Sequence, residues 1–247
     1  MPVTIQGDRL IRYEDAAVHF AVPQHVKYIE ELAFSGADRL ASLEIPDGVE
    51  RIGNYAFRMC YNLREIRLPA KVDMIGSGLF QHCWKLKKIA LPEGTLMIGG
   101  EMFESCHALE ELMIPGTVVK IDRSAFSGCR SLTRIVIDPE RLKILPPAAR
   151  YSAVLTYMEK NWDQEGNSVI DEFAAERQGN LLDLAINRRN AQAVRYMLGH
   201  GLIGADALAD HIEKSADRNR VEITALMLEY GHNIKNDRDP FDEDPFK

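Results

Sequence analysis

The sequence predicts an α/β repeat solenoid of short parallel strands, followed by an all-α helical-repeat domain. Three observations carry this prediction. Five kinds of residue recur at a spacing of 23 along the first half of the chain. Within each repeat, apolar and polar residues alternate over a stretch just long enough for a short strand. After about Pro146 that spacing is lost and the apolar residues fall at helical intervals.

The columns are strict. Pro23, Pro46, Pro69, Pro92 and Pro115 are 23 residues apart, as are Phe34, Phe57, Phe80, Phe103 and Phe126. Leu40, Leu63, Leu86, Leu109 and Leu132 form a third column, and Ile29, Ile52, Ile75, Ile98 and Ile121 a fourth. A fifth, Val26, Val49, Val72 and Val118, is broken only by Thr95. Such self-similarity at a fixed period identifies a stacked array in which each repeat buries its apolar face against its neighbours.

One repeat can be read as chemistry. In Leu63-Arg-Glu-Ile66-Arg-Leu68-Pro69, the alternation around Ile66 is that of a strand with one buried face. Proline then ends it, having no N–H for the ladder. Val72-Asp-Met-Ile75-Gly76 is a second short extended piece closed by glycine. Gly78-Leu-Phe80-Gln-His-Cys83 fits a helical turn with Phe80 inward. Each buried Phe contributes on the order of 1.5–3 kcal/mol.

The pattern IPxxVxxIGxxAFxxCxxLxxI resembles the BspA-type leucine-rich repeat family, and Ile45-Pro46 through Leu63 follow it almost letter by letter. The resemblance covers about residues 20–145 in five 23-residue repeats. It implies a leucine-rich repeat solenoid there and an N-terminal cap over residues 1–19, built from Val3-Thr-Ile5, a Gly7-Asp8 turn and Leu10 to Tyr13. It also implies protein binding and, for many members, a secreted adhesin role. The first repeat departs from the pattern with Glu30 in place of Gly and Ala37 in place of Cys, as suits an end repeat.

All four cysteines, Cys60, Cys83, Cys106 and Cys129, fall in one column. One per repeat at the same position favours a ladder of small buried thiols over disulfides, because the side chains run parallel instead of converging. A zinc site lacks its usual CxxC or paired His.

In the second half, Ala149, Ala153, Val154, Tyr157 and Met158 lie at helical spacing, and Leu181 to Ala185 give another amphipathic run. Residues 190–201 align with residues 220–231, a helix–turn–helix unit repeated at about 30 residues that is similar to ankyrin-type repeats without their TPLH signature. Asn190 and Asn219 are the candidate N-caps, and Gly201 and Gly231 the candidate terminators. The expected organisation is a helical, ankyrin-like domain over 146–235 and a disordered acidic tail over 236–247 that carries two Asp-Pro-Phe triplets. The helices are expected either to cover the open end of the solenoid or to form a second binding module.

The net charge of −7 argues against nucleic acid as a partner, and no apolar run approaches a membrane span. The N-terminal MPVTIQGDRLIRYED has no basic segment leading into an apolar one. The expected location is cytoplasmic, or secreted or at the cell surface if an upstream signal has been removed. No catalytic, metal-binding or cofactor-binding motif is found. The expected function is therefore a non-catalytic, monomeric scaffold for a protein partner, with a secreted adhesin or glycan binder as the alternative.

The repeat also orders the surface. Ser42, Glu65, Lys88, Glu111 and Arg134 form an outward column of alternating sign, expected to be an ion ladder. Glu44, Arg67, Ala90, Met113 and Val136 form a second that turns apolar toward its C-terminal end. Asp38, Tyr61, Trp84, His107 and Arg130 follow the cysteine position, with Tyr61 and Trp84 stacked. Tyr61, Trp84, His107, Arg67, Ala90, Met113 and Val136 are the candidate binding residues. Met74 with Met97, and Leu96 with Val119, are also apolar for an outer face.

Overall fold

The computed structural model describes residues 3–14, 16–217 and 220–237, with side chains up to residue 233. The chain divides into two compact units, Met1–Ala153 and Val154–Lys247.

The first unit opens with an antiparallel hairpin, β1 (Val3–Gln6) and β2 (Arg9–Tyr13), turned at Gly7 with φ 60°. Six rungs follow. One face of the solenoid is built from three-residue strands: β3 (His19–Ala21), β5 (Ser42–Glu44), β7 (Glu65–Arg67), β9 (Lys88–Ala90), β11 (Glu111–Met113) and β13 (Arg134–Val136). After each proline loop comes a two-residue strand of the other face: β4 (Tyr28–Ile29), β6 (Arg51–Ile52), β8 (Met74–Ile75), β10 (Met97–Ile98) and β12 (Lys120–Ile121). Every strand-to-strand pairing between rungs is parallel with an offset of one repeat, as in Leu43 opposite Ile66 and Ile29 opposite Ile52. Strand β2 continues the short-strand face by pairing with β4, so the hairpin covers the first rung. Four full columns announce five repeats; the additional long strand, β3, is carried by Phe20, one repeat ahead of Leu43 in the inner column.

The third edge is the phenylalanine turn, and here the expectation of a helical turn is corrected. Residues 78–83 form successive turns in which Gly78 and His82 are left-handed, with φ 59° and 62°. The Phe80 N–H bonds to Met102 O in the next rung at 3.0 Å, where a helix would direct it within its own segment. Three faces must close in 23 residues, so this edge makes a sharp corner that α geometry cannot supply. Within it Phe34, Phe57, Phe80 and Phe103 are fully buried, and successive ring centroids are 5.5, 5.5 and 5.7 Å apart. Phe126, Cys129 and Leu132, in the last turn, are only half-buried.

The two ladders share an interruption. The long strands form two sheets, β3-β5-β7 and β9-β11-β13, and the short-strand face divides between β8 and β10. Both breaks lie between the same two rungs. Ile66 and Ile75 there are partly exposed, whereas Leu43, Leu112, Ile52 and Ile98 are at 1% or less. A groove of about 420 Å³ opens at Ile66 between Arg64–Glu65 and Lys87–Lys88. Continuity is kept by the phenylalanine turns and by the proline loops, where Lys71 bridges Glu93. The loop on one side of the break differs from the others. Gly94 has φ 91° and leaves no room for a side chain, since a Cβ there would lie 1.8 Å from Val72 O, and Thr95 is buried with its hydroxyl donating to Pro92 O at 2.8 Å.

A 3-10 turn, Pro139–Ile144, is capped by Asp138 and leads into the helices α1 (Pro147–Lys160), α2 (Ser168–Glu176), α3 (Gln178–Asn187), α4 (Ala191–Gly199), α5 (Ala205–Asp217) and α6 (Val221–Asp237). Asn190 caps α4 by accepting from Ala193 N at 3.0 Å, and Asn167 caps α2 by accepting from both Val169 N and Ile170 N. Gly201 follows α4 with φ 64°, as its terminator role requires. Gly231 does not end a helix: α6 runs through it to Asp237. A Cβ there would lie 3.3 Å from Leu208 Cδ2, so this glycine lets α6 approach α5. Asn219 and the two Asp-Pro-Phe triplets lie outside the described residues. The core of this unit is Leu181, Leu182, Ala185, Ile186, Val194, Tyr196 and Met197, all fully buried. The Tyr196 hydroxyl donates to Asp171 Oδ1 at 2.8 Å and accepts from Asn167 N, and burial pushes its pKa up.

Candidate binding surfaces

The residues after each cysteine turn outward where the corner meets the long strands. This places Tyr61, Trp84 and His107 one above another. The Tyr61 and Trp84 rings are 4.2 Å apart between centroids, and Trp84 and His107 are 6.4 Å apart. Trp84 remains 45% exposed despite two ring neighbours. His107 Nδ1 lies 3.0 Å from Gly128 O, which orients its ring and turns Nε2 away from that bond. Lys85 braces the ridge by donating to Asn62 Oδ1 at 2.6 Å. Because the rings face one another, the stack presents mainly edges and polar atoms to solvent.

On the long-strand face the candidate column is split by the ladder break. Arg67 pairs with Glu44 at 2.6 Å on β5 and β7. Ala90, Met113 and Val136 lie in register beyond the break, on β9, β11 and β13. Met113 is 46% exposed, Ala90 is exposed and Val136 is half-buried. The structure thus groups Tyr61, Trp84 and His107 in one stack and Ala90, Met113 and Val136 in one row, and separates Arg67 from both. The neighbouring ion column is also divided. Lys88 and Arg134 flank Glu111 at 3.3 and 4.0 Å, while Glu65 faces Lys88 across the break without a ladder bond.

The cysteines are free. Each thiol donates to a phenylalanine carbonyl 26 residues earlier: Cys60 to Phe34, Cys83 to Phe57, Cys106 to Phe80 and Cys129 to Phe103, at 3.1–3.2 Å. Burial is the main cause that pushes Cys60 and Cys129 up to about 12, and it also drives Cys83 and Cys106 upward. A thiol held in this way is a poor nucleophile and a poor metal ligand, since both roles need the thiolate. Among the described residues, no three His, Cys, Asp or Glu side chains are grouped to hold a metal ion, and no helix is long and apolar enough to cross a membrane.

Residues 12–138, just over half of the chain, match the BspA type leucine rich repeat region in six copies. The chain belongs to the BspA-type leucine-rich repeat family. The six copies of this family's repeat agree with the six long strands. Among solved structures, the chain is similar to a leucine rich cell surface protein from Faecalibacterium prausnitzii, with 34% identity and a TM-score of 0.52 over 56% of this chain and 38% of that one. It is also similar to the leucine rich repeat protein of T. pallidum, with 26% identity and a TM-score of 0.51 over 56% of this chain and 69% of that one. The chain therefore spans well under half the length of the F. prausnitzii protein. A comparison with curated proteins finds no match. The family and these likenesses point to a non-enzymatic, repeat-based binding scaffold of bacterial type.

Two features of these BspA-type repeats escape sequence reading. Ile66 and Ile75 look like their counterparts, and the departure beside the ladder break, Thr95 in the valine column, does not say that the ladders part there. The Cys-to-Phe carbonyl bonds join residues 26 apart, so the column alone indicates size and burial but not the hydrogen bond.

Proposed function

We propose that this chain is a non-catalytic, monomeric scaffold that binds a protein partner through the Tyr61–Trp84–His107 ridge and the row of Ala90, Met113 and Val136. The observation that supports this reading most is the solvent-exposed stack of rings. Aromatic side chains with fixed rotamers supply contact area at low entropic cost, and they are enriched at interface centres. The edge-on presentation favours a polypeptide over a sugar, because a sugar stacks on a free ring face and the neighbouring rings here are turned toward one another. The helical domain over 146–235 is proposed to serve as a second binding module. A cytoplasmic location goes with this reading.

The test is quantitative cross-linking and affinity capture from the source organism, comparing wild type with Tyr61→Ala/Trp84→Ala and with Met113→Asp. Trp84 and Met113 are exposed and Tyr61 is half-buried, so circular dichroism melts should shift by no more than about 0.5 kcal/mol for Met113→Asp and about 1–2 kcal/mol for the double variant, which loses the ring pair. Specific loss of one captured protein in both variants supports the reading. Identical capture profiles for all three proteins would refute it. A second reading, a cell-surface adhesin or glycan binder, draws on the 34% likeness to a cell surface protein. Recovery in the surface fraction, with cell or glycan binding that depends on Trp84, would favour it.

A further inference from the structure

The short-strand face carries a surface that the ridge does not use. Its N-terminal part is polar and paired: Lys27 contacts Glu50 at 3.1 Å, Tyr28 donates to Glu50, and Arg9 lies over the Tyr28 ring. Further along, Leu96 and Val119 follow Lys27, Glu50 and Asp73 in one outward column, and Met74 and Met97 follow Tyr28 and Arg51 in the other. Met74, Leu96, Met97 and Val119 are 52%, 59%, 54% and 63% exposed. Val119 N bonds to Leu96 O at 2.9 Å, so these two lie on adjacent rungs, and Met97 is the residue after Leu96. The patch is therefore contiguous across the fourth and fifth rungs, with Met74 one repeat earlier on the third. It straddles the ladder break between β8 and β10, with the partly exposed Ile75 beside it. Unbranched, polarisable methionines on both sides of a break form a surface that adapts to an apolar ligand.

The charges at its ends define what it fits. Arg51 is in register with Met74, and Lys120 with Met97, so one outward column reads Arg51, Met74, Met97, Lys120. Arg51 Nη2 leans on Met74 Sδ at 3.2 Å, so its guanidinium lies against the apolar patch. Lys120 is exposed and draws the Asp122 carboxyl downward, the Ser124 hydrogen bonds being the larger cause of that shift. With paired rungs about 4.8 Å apart and the unpaired interval between β8 and β10 no shorter, the backbones at Arg51 and Lys120 are at least about 14 Å apart, the rise of about ten residues of α-helix. Asp73 occupies the neighbouring column beside Met74 and repels an acid at that corner.

We infer that the short-strand face of the third to fifth rungs docks an amphipathic helix of a partner protein, lying along the solenoid axis. The helix places an apolar stripe on Met74, Leu96, Met97 and Val119 and an acidic residue on each of Arg51 and Lys120. This surface is distinct from the ridge and stands whether or not the ridge binds.

The probe is a fluorescein-labelled helical peptide with leucines on one face and two glutamates flanking them about ten residues apart. A scrambled peptide of the same composition and a peptide with lysines in place of the glutamates serve as controls. Anisotropy titrations with the full chain are expected to show saturable binding of the glutamate peptide only, weakening as salt rises. Leu96→Asp/Met97→Asp should weaken it at least tenfold while leaving the thermal melt in place. Arg51→Glu/Lys120→Glu should reverse the preference toward the lysine peptide. Equal binding of the scrambled and ordered peptides, or no reversal in the charge-swapped variant, would overturn the proposal. So would loss of the patch's effect into self-association, seen as a concentration-dependent sedimentation coefficient abolished by Leu96→Asp/Met97→Asp. Patch-dependent binding to anionic phosphatidylglycerol vesicles with no peptide binding would assign the surface to a membrane instead.

Discussion

Replacing Phe80 by alanine tests how the solenoid holds together across the break in its ladders. Phe80 is fully buried and contacts Phe57 and Phe103 at 5.5 and 5.7 Å, so it has a ring neighbour on each side. Wherever the boundary between the two halves is drawn, one of those contacts crosses it. The long-strand and short-strand ladders contribute no bonds at that level. Coupling there rests on the phenylalanine turns, where Phe80 N bonds to Met102 O, and on the Lys71–Glu93 loop bridge. A buried Phe→Ala change costs about 4 kcal/mol. In a nearest-neighbour array such a loss falls on the local interface as much as on the whole. Phe80→Ala should therefore lower stability by about 4 kcal/mol and also split the unfolding of the solenoid into two steps, whereas Phe34→Ala should lower it by a similar amount in one step. The assay is urea denaturation followed by Trp84 fluorescence in a Trp162→Phe background, with hydrogen exchange of residues 19–67 and 88–136 measured separately. A single transition for Phe80→Ala, with both segments exchanging together, would show that the ladder break is no weak point.

Three further outcomes are expected. The thiols at Cys60 and Cys129 are raised to about 12 by burial, so the folded chain holds protons that the unfolded chain releases above about 9. Stability from these thiols is complete below that pH and falls as pH rises toward 12; Cys60→Ala should remove about 1–2 kcal/mol of the decline measured by denaturation between pH 8 and 10. Gly76→Ala places a Cβ 2.5 Å from Asn54 N and should cost more than 2 kcal/mol in a thermal melt, whereas Gly116→Ala meets nothing within 4 Å and should be neutral or stabilising by about 0.5 kcal/mol. Asn167→Ala removes the acceptor for two N–H groups at the start of α2 and should lower the stability of the helical unit by about 1 kcal/mol, without altering hydrogen exchange in the solenoid.

Much of the fold is legible in the sequence because a solenoid makes long-range structure local. Each residue's neighbour across the ladder is one repeat away, so the Phe34, Phe57, Phe80 and Phe103 column is also a spatial stack. The caps Asn190 and Gly201 are legible for the same reason, since capping is decided within one turn. Gly231 resembles Gly201 in sequence but packs against Leu208, and that neighbour belongs to a different helix. Residues 78–83 have apolar spacing compatible with a helix, yet the closing of three faces requires left-handed residues at Gly78 and His82.

The surface divides in the same way. That Tyr61, Trp84 and His107 form a column, and that Met74 and Met97 are outward, follows from the period alone. Whether the column continues depends on tertiary structure. Ile66 and Ile75 satisfy the repeat as well as any other isoleucine, and the one local departure nearby, Thr95 in the valine column, does not reveal that the ladders open beside them. The sequence by itself determined the period, the buried columns and the outward residues, because these follow from stacking identical units. Only the tertiary structure decided where the stack is interrupted, which thiol meets which carbonyl, and which outward residues form continuous surfaces, because each depends on how one rung settles on the next.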